Sequence, residues 1–400
     1  TVKCRSQGGA GGKNGDAALA FPVCVKPDFS LPGIYGQLEF ILRATYRQLT
    51  GNLRAGCMQF TGVCPCLFIR PRLYKRLNAK GCLAMKLKDV TVTIIGGTGF
   101  VGRAIVEKLA HEGAAIKVLA RNAERAKFLK PMGGVGQISI MTGNALEAAD
   151  LGAIIAGSDA VINTIGILAE NGPQRFDALQ AELPGTIGRL ADEAGCKRVI
   201  HISAIGADAS SAIKYAASKG RGETNLLDAF KKATILRPSL VFGAGDGFFN
   251  RFASMAVMAP GLPVIGGGRN RVQPVFVGDV ADAVIASLKD DATAGKTYEL
   301  GGPEVMTFRE VMAYIIGQIK RRRMLIPVPH AVMMMASIPM GLLPNPPVTR
   351  DQLKQLKLDN VVAKGAKGFD DLGISPVPIE LVVPGYLARY RPGGRFALKS

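Results

Sequence analysis

Between Asp89 and Gly243 the chain changes period repeatedly. Short runs of β-branched and aliphatic residues give way to stretches in which apolar positions recur every three or four residues. The first kind of run predicts strands; the second predicts helices with one buried stripe. The pattern places strands near residues 90–95, 116–120, 137–141, 160–163, 198–202 and 234–236, and helices near 100–112, 124–129, 174–194 and 215–231. This alternation predicts an α/β fold, a doubly wound parallel sheet covered on both faces. Past Gly243 the pattern loosens into Gly- and Pro-rich loops with shorter elements, which predicts a smaller C-terminal lobe on the substrate side.

The first predicted strand runs directly into glycines: residues 90–102 read VTVTIIGGTGFVG. A strand, the turn Gly96-x-x-Gly99-x-x-Gly102 and a helix start, in that order, make a Rossmann-like pyrophosphate site. Glycine lets backbone N–H groups approach the phosphates, and the positive end of the helix dipole faces the anion. Gly96, Thr98, Gly99, Phe100, Val101 and Gly102 are the candidates for this contact. The second strand ends in Arg121-Asn122. An acidic residue there would bind the ribose hydroxyls of NAD; a guanidinium suits a 2′-phosphate, so NADP(H) is favoured over NAD(H).

Composition divides the chain. Residues 1–84 hold 12 Lys+Arg against 3 Asp+Glu and six of the seven cysteines, with no sustained period, whereas the remainder holds 38 against 28. Cys64-Pro65-Cys66 leaves one residue between sulfurs, where zinc ligands stand about two to four apart. The expected organisation is an N-terminal extension over 1–84, unstructured or not part of the natural fold, a nucleotide-binding domain over 85–242, and a C-terminal lobe and tail over 243–400. The apolar stretch 324–343 is broken by His330 and three prolines and makes a poor spanning helix. The basic run 320–323 precedes it. The pair suits an anionic membrane surface or a hydrophobic partner, while a basic run by itself is commonly a solvated face. His111, His201 and His330 are scattered, so no metal site is expected, and His201 reads as a satisfied core residue. Asp279 reads as a helix N-cap. No aromatic-interleaved basic motif points to nucleic acid.

Tyr215 and Lys219 stand four apart on one predicted helix face, and Ser203 follows the fifth strand, at the edge where open α/β sheets bind ligands. With the glycine turn, these residues resemble the short-chain dehydrogenase/reductase superfamily. The resemblance implies Tyr215 as general acid/base, Lys219 lowering its pKa and holding the nicotinamide ribose, and Ser203 polarising a carbonyl. It further implies that Asn163, Thr164 and Gly166 pass along the ribose and diphosphate, and that the Pro238 backbone lies beside the nicotinamide. Asn144, followed by Ala145, stands where the superfamily usually has an adenine-contacting Asp. The segments HISAIGAD (201–208), YAASKGRGE (215–223), LRPSLVFG (236–243), QPVFVGDV (273–280) and the Pro-rich 343–362 look like an atypical branch. They resemble the bacterial and mitochondrial homologues of the NAD(P)H-binding accessory subunit of respiratory complex I, over roughly 85–382. That implies an accessory or assembly component bound to complex I subunits, peripheral on the cytoplasmic face of a bacterial inner membrane or the matrix side of the mitochondrial one. A free-standing NADPH-dependent reductase of carbonyls or quinone-like rings is the alternative. A sugar-nucleotide epimerase/dehydratase, with Arg251, Arg269 and Arg271 gripping a diphosphate, ranks last. Fold-level likeness names no substrate.

Overall fold

The computed structural model describes residues 86–340 and 349–394. The extension over 1–84, with its six cysteines, and the 341–348 part of the Pro-rich segment lie outside the described residues. In chain order come β1 (Thr91–Ile95), α1 (Phe100–His111), β2 (Ala115–Ala120), α2 (Ala123–Ala126), β3 (Ile138–Thr142), α3 (Ala148–Ile155) and β4 (Ala160–Asn163). A π-helical turn, Asp177–Glu182, leads into α4 (Leu183–Glu193), followed by β5 (Arg198–Ile202), α5 (Lys214–Ala229) and β6 (Thr234–Pro238). The strands follow the sequence pattern to within two residues. The 174–194 helix is in two parts because its first turn is π-helical, and α3 was not anticipated.

The large sheet has the order β3-β2-β1-β4-β5-β6 with a seventh strand, β11 (Thr297–Leu300), beyond β6, and every pairing in it is parallel. Alternation along the strands feeds two cores. Val92 and Ile94 of β1 pack with Ile105 and Leu109 of α1 and with Val280, Val284 and Leu288 of α7 (Val277–Lys289). Ile95, Val161 and Val199 face the other way, onto Ile154 of α3, Ile187 of α4 and Leu226 of α5. Strand order reverses between β1 and β4, so the carboxyl ends of these two strands open the crevice that takes ligands in such sheets.

The region past Gly243 is more regular than its composition predicts. β7 (Val241–Phe242) leads into it, and it contains α6 (Phe249–Met258), β8 (Gly261–Ile265), β9 (Arg271–Val272), β10 (Val275–Phe276), β12 (Met306–Thr307), α8 (Phe308–Gln318), β13 (Met324–Val328), α9 (His330–Met340), α10 (Arg350–Gln355) and α11 (Ile379–Leu387). Two of the elements here, α7 and β11, return to the large sheet. A separate core is built chiefly by α6, β8, α8 and α11, from Phe249, Leu262, Val264, Val311, Ile315 and Val383, among others. A capping box, Thr307 with Glu310, starts α8.

Two sequence expectations are corrected here. Asp279 is not an N-cap: Phe276 holds that position, and Asp279 lies buried in the first turn of α7, its carboxylate accepting the Val377 N–H at 2.7 Å. Burial raises its pKa above the usual carboxylate value. The basic run is not simply solvated either. Arg321 donates to the Tyr390 carbonyl, and Arg323 donates to those of Ala256 and Val257 at the end of α6. Helix C-terminal carbonyls lack partners of their own, which is why a guanidinium settles there.

Candidate functional site

The carboxyl ends of β1, β2, β3 and β4 enclose a cleft of about 540 Å³. Its floor is the glycine turn. Gly96 has φ +89°, a conformation side chains rarely adopt, and its carbonyl accepts the Gly99 N–H at 3.0 Å. A methyl group on Gly102 would overlap the Gly96 carbonyl, so the helix can meet the strand this closely only without a side chain there. Gly99 caps α1 with no side-chain bond, and no acidic residue stands in the first turn. The positive helix end therefore faces the cleft uncompensated. A diphosphate fits this turn by charge and by the room that the absent Cβ atoms leave.

Of the residues expected to hold the nucleotide, Gly96, Thr98, Gly99, Arg121, Asn144, Ala145, Thr164 and Gly166 line the cleft. Phe100, Val101, Asn122 and Asn163 are not among its lining residues. Phe100 carries the Arg103 guanidinium 5.3 Å from its ring centre, Val101 packs into the core, and Asn122 caps α2 by accepting the Arg125 N–H. Asn163 is buried; its Oδ1 accepts the Ile165 N–H and its Nδ2 lies 3.2 Å from His201 Nδ1. Thr164 donates through both its N–H and its hydroxyl to the Ile95 carbonyl, fixing the β4 loop against β1. Arg121 is exposed on the rim, and among the described residues no carboxylate pairs with it. Asn144 turns its side-chain oxygen to the Leu146 N–H, and its own N–H goes to Asp150.

The other end of the site is built from β5, β6 and α5. Ser203 is buried just past β5, its hydroxyl without a hydrogen-bond partner, and its N–H bonds the Leu236 carbonyl. Lys219 is 3% exposed and donates to the Ile202 carbonyl at 3.1 Å. Its ammonium approaches Gly166, where a methyl group would stand 3.3 Å away, so the two ends of the cleft meet at that pair. Burial pulls the Lys219 pKa down to about 8, with Glu223 working against the drop. Tyr215, one turn earlier, sets its ring edge-on to Phe176 at 6.1 Å. Burial pushes its phenol up to about 12. Lys219 donates to a backbone carbonyl, and burial is the cause of the phenol's upward shift. Pro238 ends β6 beside Leu300 of β11. His201 is only half satisfied as a core residue, with Nε2 unpartnered. Burial and then the Lys219 charge keep its pKa well below the ordinary value.

Four residues here carry no motif. Gln180, fully buried in the π turn, donates to the Ile167 carbonyl and accepts from Ser218 beneath α5. Arg103 donates to the Ala244 carbonyl and ties α1 to the 243–251 loop. Asp246 is buried within that loop and accepts the Phe248 and Asn250 N–H groups. Asp351, far along the chain, accepts the N–H groups of Lys214 and Tyr215. Only the capping-box spacing Thr349–Gln352 signals a helix around Asp351 in the sequence; nothing there says what it touches. Arg271 is spoken for, bonded through Nε and Nη2 to Asp359.

Sheet order, glycine turn and the Ser–Tyr–Lys positions define a dinucleotide-binding α/β protein of the short-chain dehydrogenase/reductase type. The profile of the NAD dependent epimerase/dehydratase family matches residues 92–301, and the chain belongs to that family. Membership of that family supports binding of a nicotinamide cofactor. The chain is 34% identical over 321 residues to NADH dehydrogenase [ubiquinone] 1 alpha subcomplex subunit 9, mitochondrial, of Arabidopsis thaliana, covering 77% of this chain and 80% of that protein. To the protein of the same name from Mus musculus it is 32% identical over 308 residues, covering 76% and 81%. Among solved structures, the Citrobacter sp. triphenylmethane reductase superimposes with a TM-score of 0.60 at 19% identity, over 74% of this chain and 99% of that one. At that identity the likeness is one of fold.

Proposed function

We propose that this protein is an accessory or assembly subunit of respiratory complex I that holds NADP(H) as a structural ligand. The similarity to complex I subunits over four-fifths of their length carries the reading. Arg121 on the cleft rim supports the 2′-phosphate form of the nucleotide, because a guanidinium unpaired among the described residues offers the fork of donors that a phosphate needs. The phenol of Tyr215, held near 12, and Lys219, turned to a carbonyl, support binding over turnover. When bound, the nucleotide would supply charge and contact area that fix the β1, β3 and β4 loops. Gly96 to Gly102 would hold the diphosphate, and Lys219 the nicotinamide ribose.

The protein is peripheral in this reading, facing the mitochondrial matrix or, in a bacterium, the cytoplasm. Among the described residues no helix is long and apolar enough to cross a membrane. We assign its contact with the complex to the stretch 320–343. There Met324 and Met335 are 68% and 73% exposed, and Ile326 and Val332 are also out in solvent. Native-gel analysis of gently solubilised membranes tests the reading. Migration with complex I is expected; migration only as a small free species contradicts it. The retained Ser203, Tyr215 and Lys219 favour the second reading, a free-standing reductase. The epimerase reading is weaker because Arg271, one of its diphosphate candidates, is already engaged by Asp359.

A further inference from the structure

We propose that Asp351, outside the family-matched region, is a positioning residue for the nicotinamide end of the cleft. Helix α5 carries Tyr215 and Lys219 but begins without a cap of its own: Ile213 holds the N-cap position, and no acidic residue lies in the first turn. Four amides at such an end need partners, and the helix dipole favours a negative charge there. Asp351 supplies both. Its two carboxylate oxygens accept the Lys214 N–H at 3.1 Å and the Tyr215 N–H at 2.9 Å.

The carboxylate is itself held. Thr349 and Gln352 form a reciprocal capping box at the start of α10, Leu353 is fully buried, and Gln352 donates to the Leu168 carbonyl in the loop after β4. Further on, Asn360 accepts the Ser239 hydroxyl next to Pro238. The segment 349–360 thus joins the loop after β4, the start of α5 and the residue after β6 as a strap, and Asp351 is its bond to the helix of Tyr215 and Lys219. α9, which lies in the stretch assigned to complex I contact, packs on α10.

The inference rests on the reading that the cleft takes NADP(H), and the experiment separates the two. In Asp351→Ala, amide exchange over 214–219 should accelerate in protein without added nucleotide, while that of 100–111 stays unchanged. NADPH should bind about tenfold more weakly, and 2′,5′-ADP, which reaches only the Arg121 end, should change by less than about twofold. Asp351→Asn, which keeps an acceptor without the charge, should fall between and serves if the alanine variant does not fold. Unchanged exchange over 214–219 overturns the proposal whatever the nucleotide does, as does equal weakening of both probes. Failure of wild-type protein to bind NADPH would sink the nucleotide reading alone, and exchange would still decide the role of Asp351.

Discussion

The two ends of the cleft are made by different means. The phosphate end is local: β1, a glycine turn and α1 follow within about twenty residues, and its chemistry is backbone amides and absent side chains. The nicotinamide end is assembled from distant parts, with Ser203 from β5, Lys219 from α5, Gly166 after β4 and Asp351 from the C-terminal strap. The first end is open and its charged group, Arg121, is exposed. At the second, Ser203 and Lys219 are buried, and burial moves its titratable groups, Tyr215 upward and Lys219 downward. Local geometry therefore shapes the end proposed to take the diphosphate, while long-range packing sets the surroundings of the end proposed to take the nicotinamide.

The largest way to break this contrast is at the turn. Gly102→Ala places a methyl group into the Gly96 carbonyl, backbone against backbone, and should cost about 3 kcal/mol of stability and abolish NADPH binding, read by thermal melting and titration. Next is Arg121→Ala, expected to weaken NADPH about 10- to 100-fold while leaving NADH within about twofold, through loss of charge-assisted hydrogen bonds to the 2′-phosphate.

A pH series sharpens the difference between the ends. Lys219 has a folded pKa of about 8, below its ordinary value of 10.5. A depressed lysine pKa means that the unfolded chain binds more protons between these values. Its burial penalty is therefore present in full below pH 8, and stability rises as pH climbs from there toward 10.5. Nucleotide affinity should move oppositely: NADPH binding weakens above about pH 8 as the ammonium is lost, while 2′,5′-ADP binding stays flat over the same range. Parallel curves for the two ligands would contradict the division. Smallest of all, Tyr215→Phe should change NADPH affinity by less than about fivefold, since the hydroxyl is not a required anchor. A much larger loss would restore a working role to the phenol.

How far the sequence could be read follows the same line. The glycine turn, the Arg121 rim and the first six strands were legible, because each depends on periodicity or on residues adjacent in the chain. β11 and α7 were hidden by the Gly- and Pro-rich punctuation after Gly243, although they complete the large sheet and one of its cores. Asp279 looked like a cap because a short acid before an apolar run usually is one. Only the fold reveals that β10 runs directly into α7 and puts Asp279 in the first turn. The commitment of Lys219 to Ile202 and the reach of Asp351 across 136 positions to Tyr215 leave no periodic trace. They arise from which loops the fold brings to one edge of the sheet.

The most direct test of the central claim is the nucleotide content of the native protein, released by denaturation and identified by chromatography. The account predicts close to one NADP(H) per chain. NAD(H) in its place, or protein that is fully folded and incorporated in its complex without nucleotide, would contradict it.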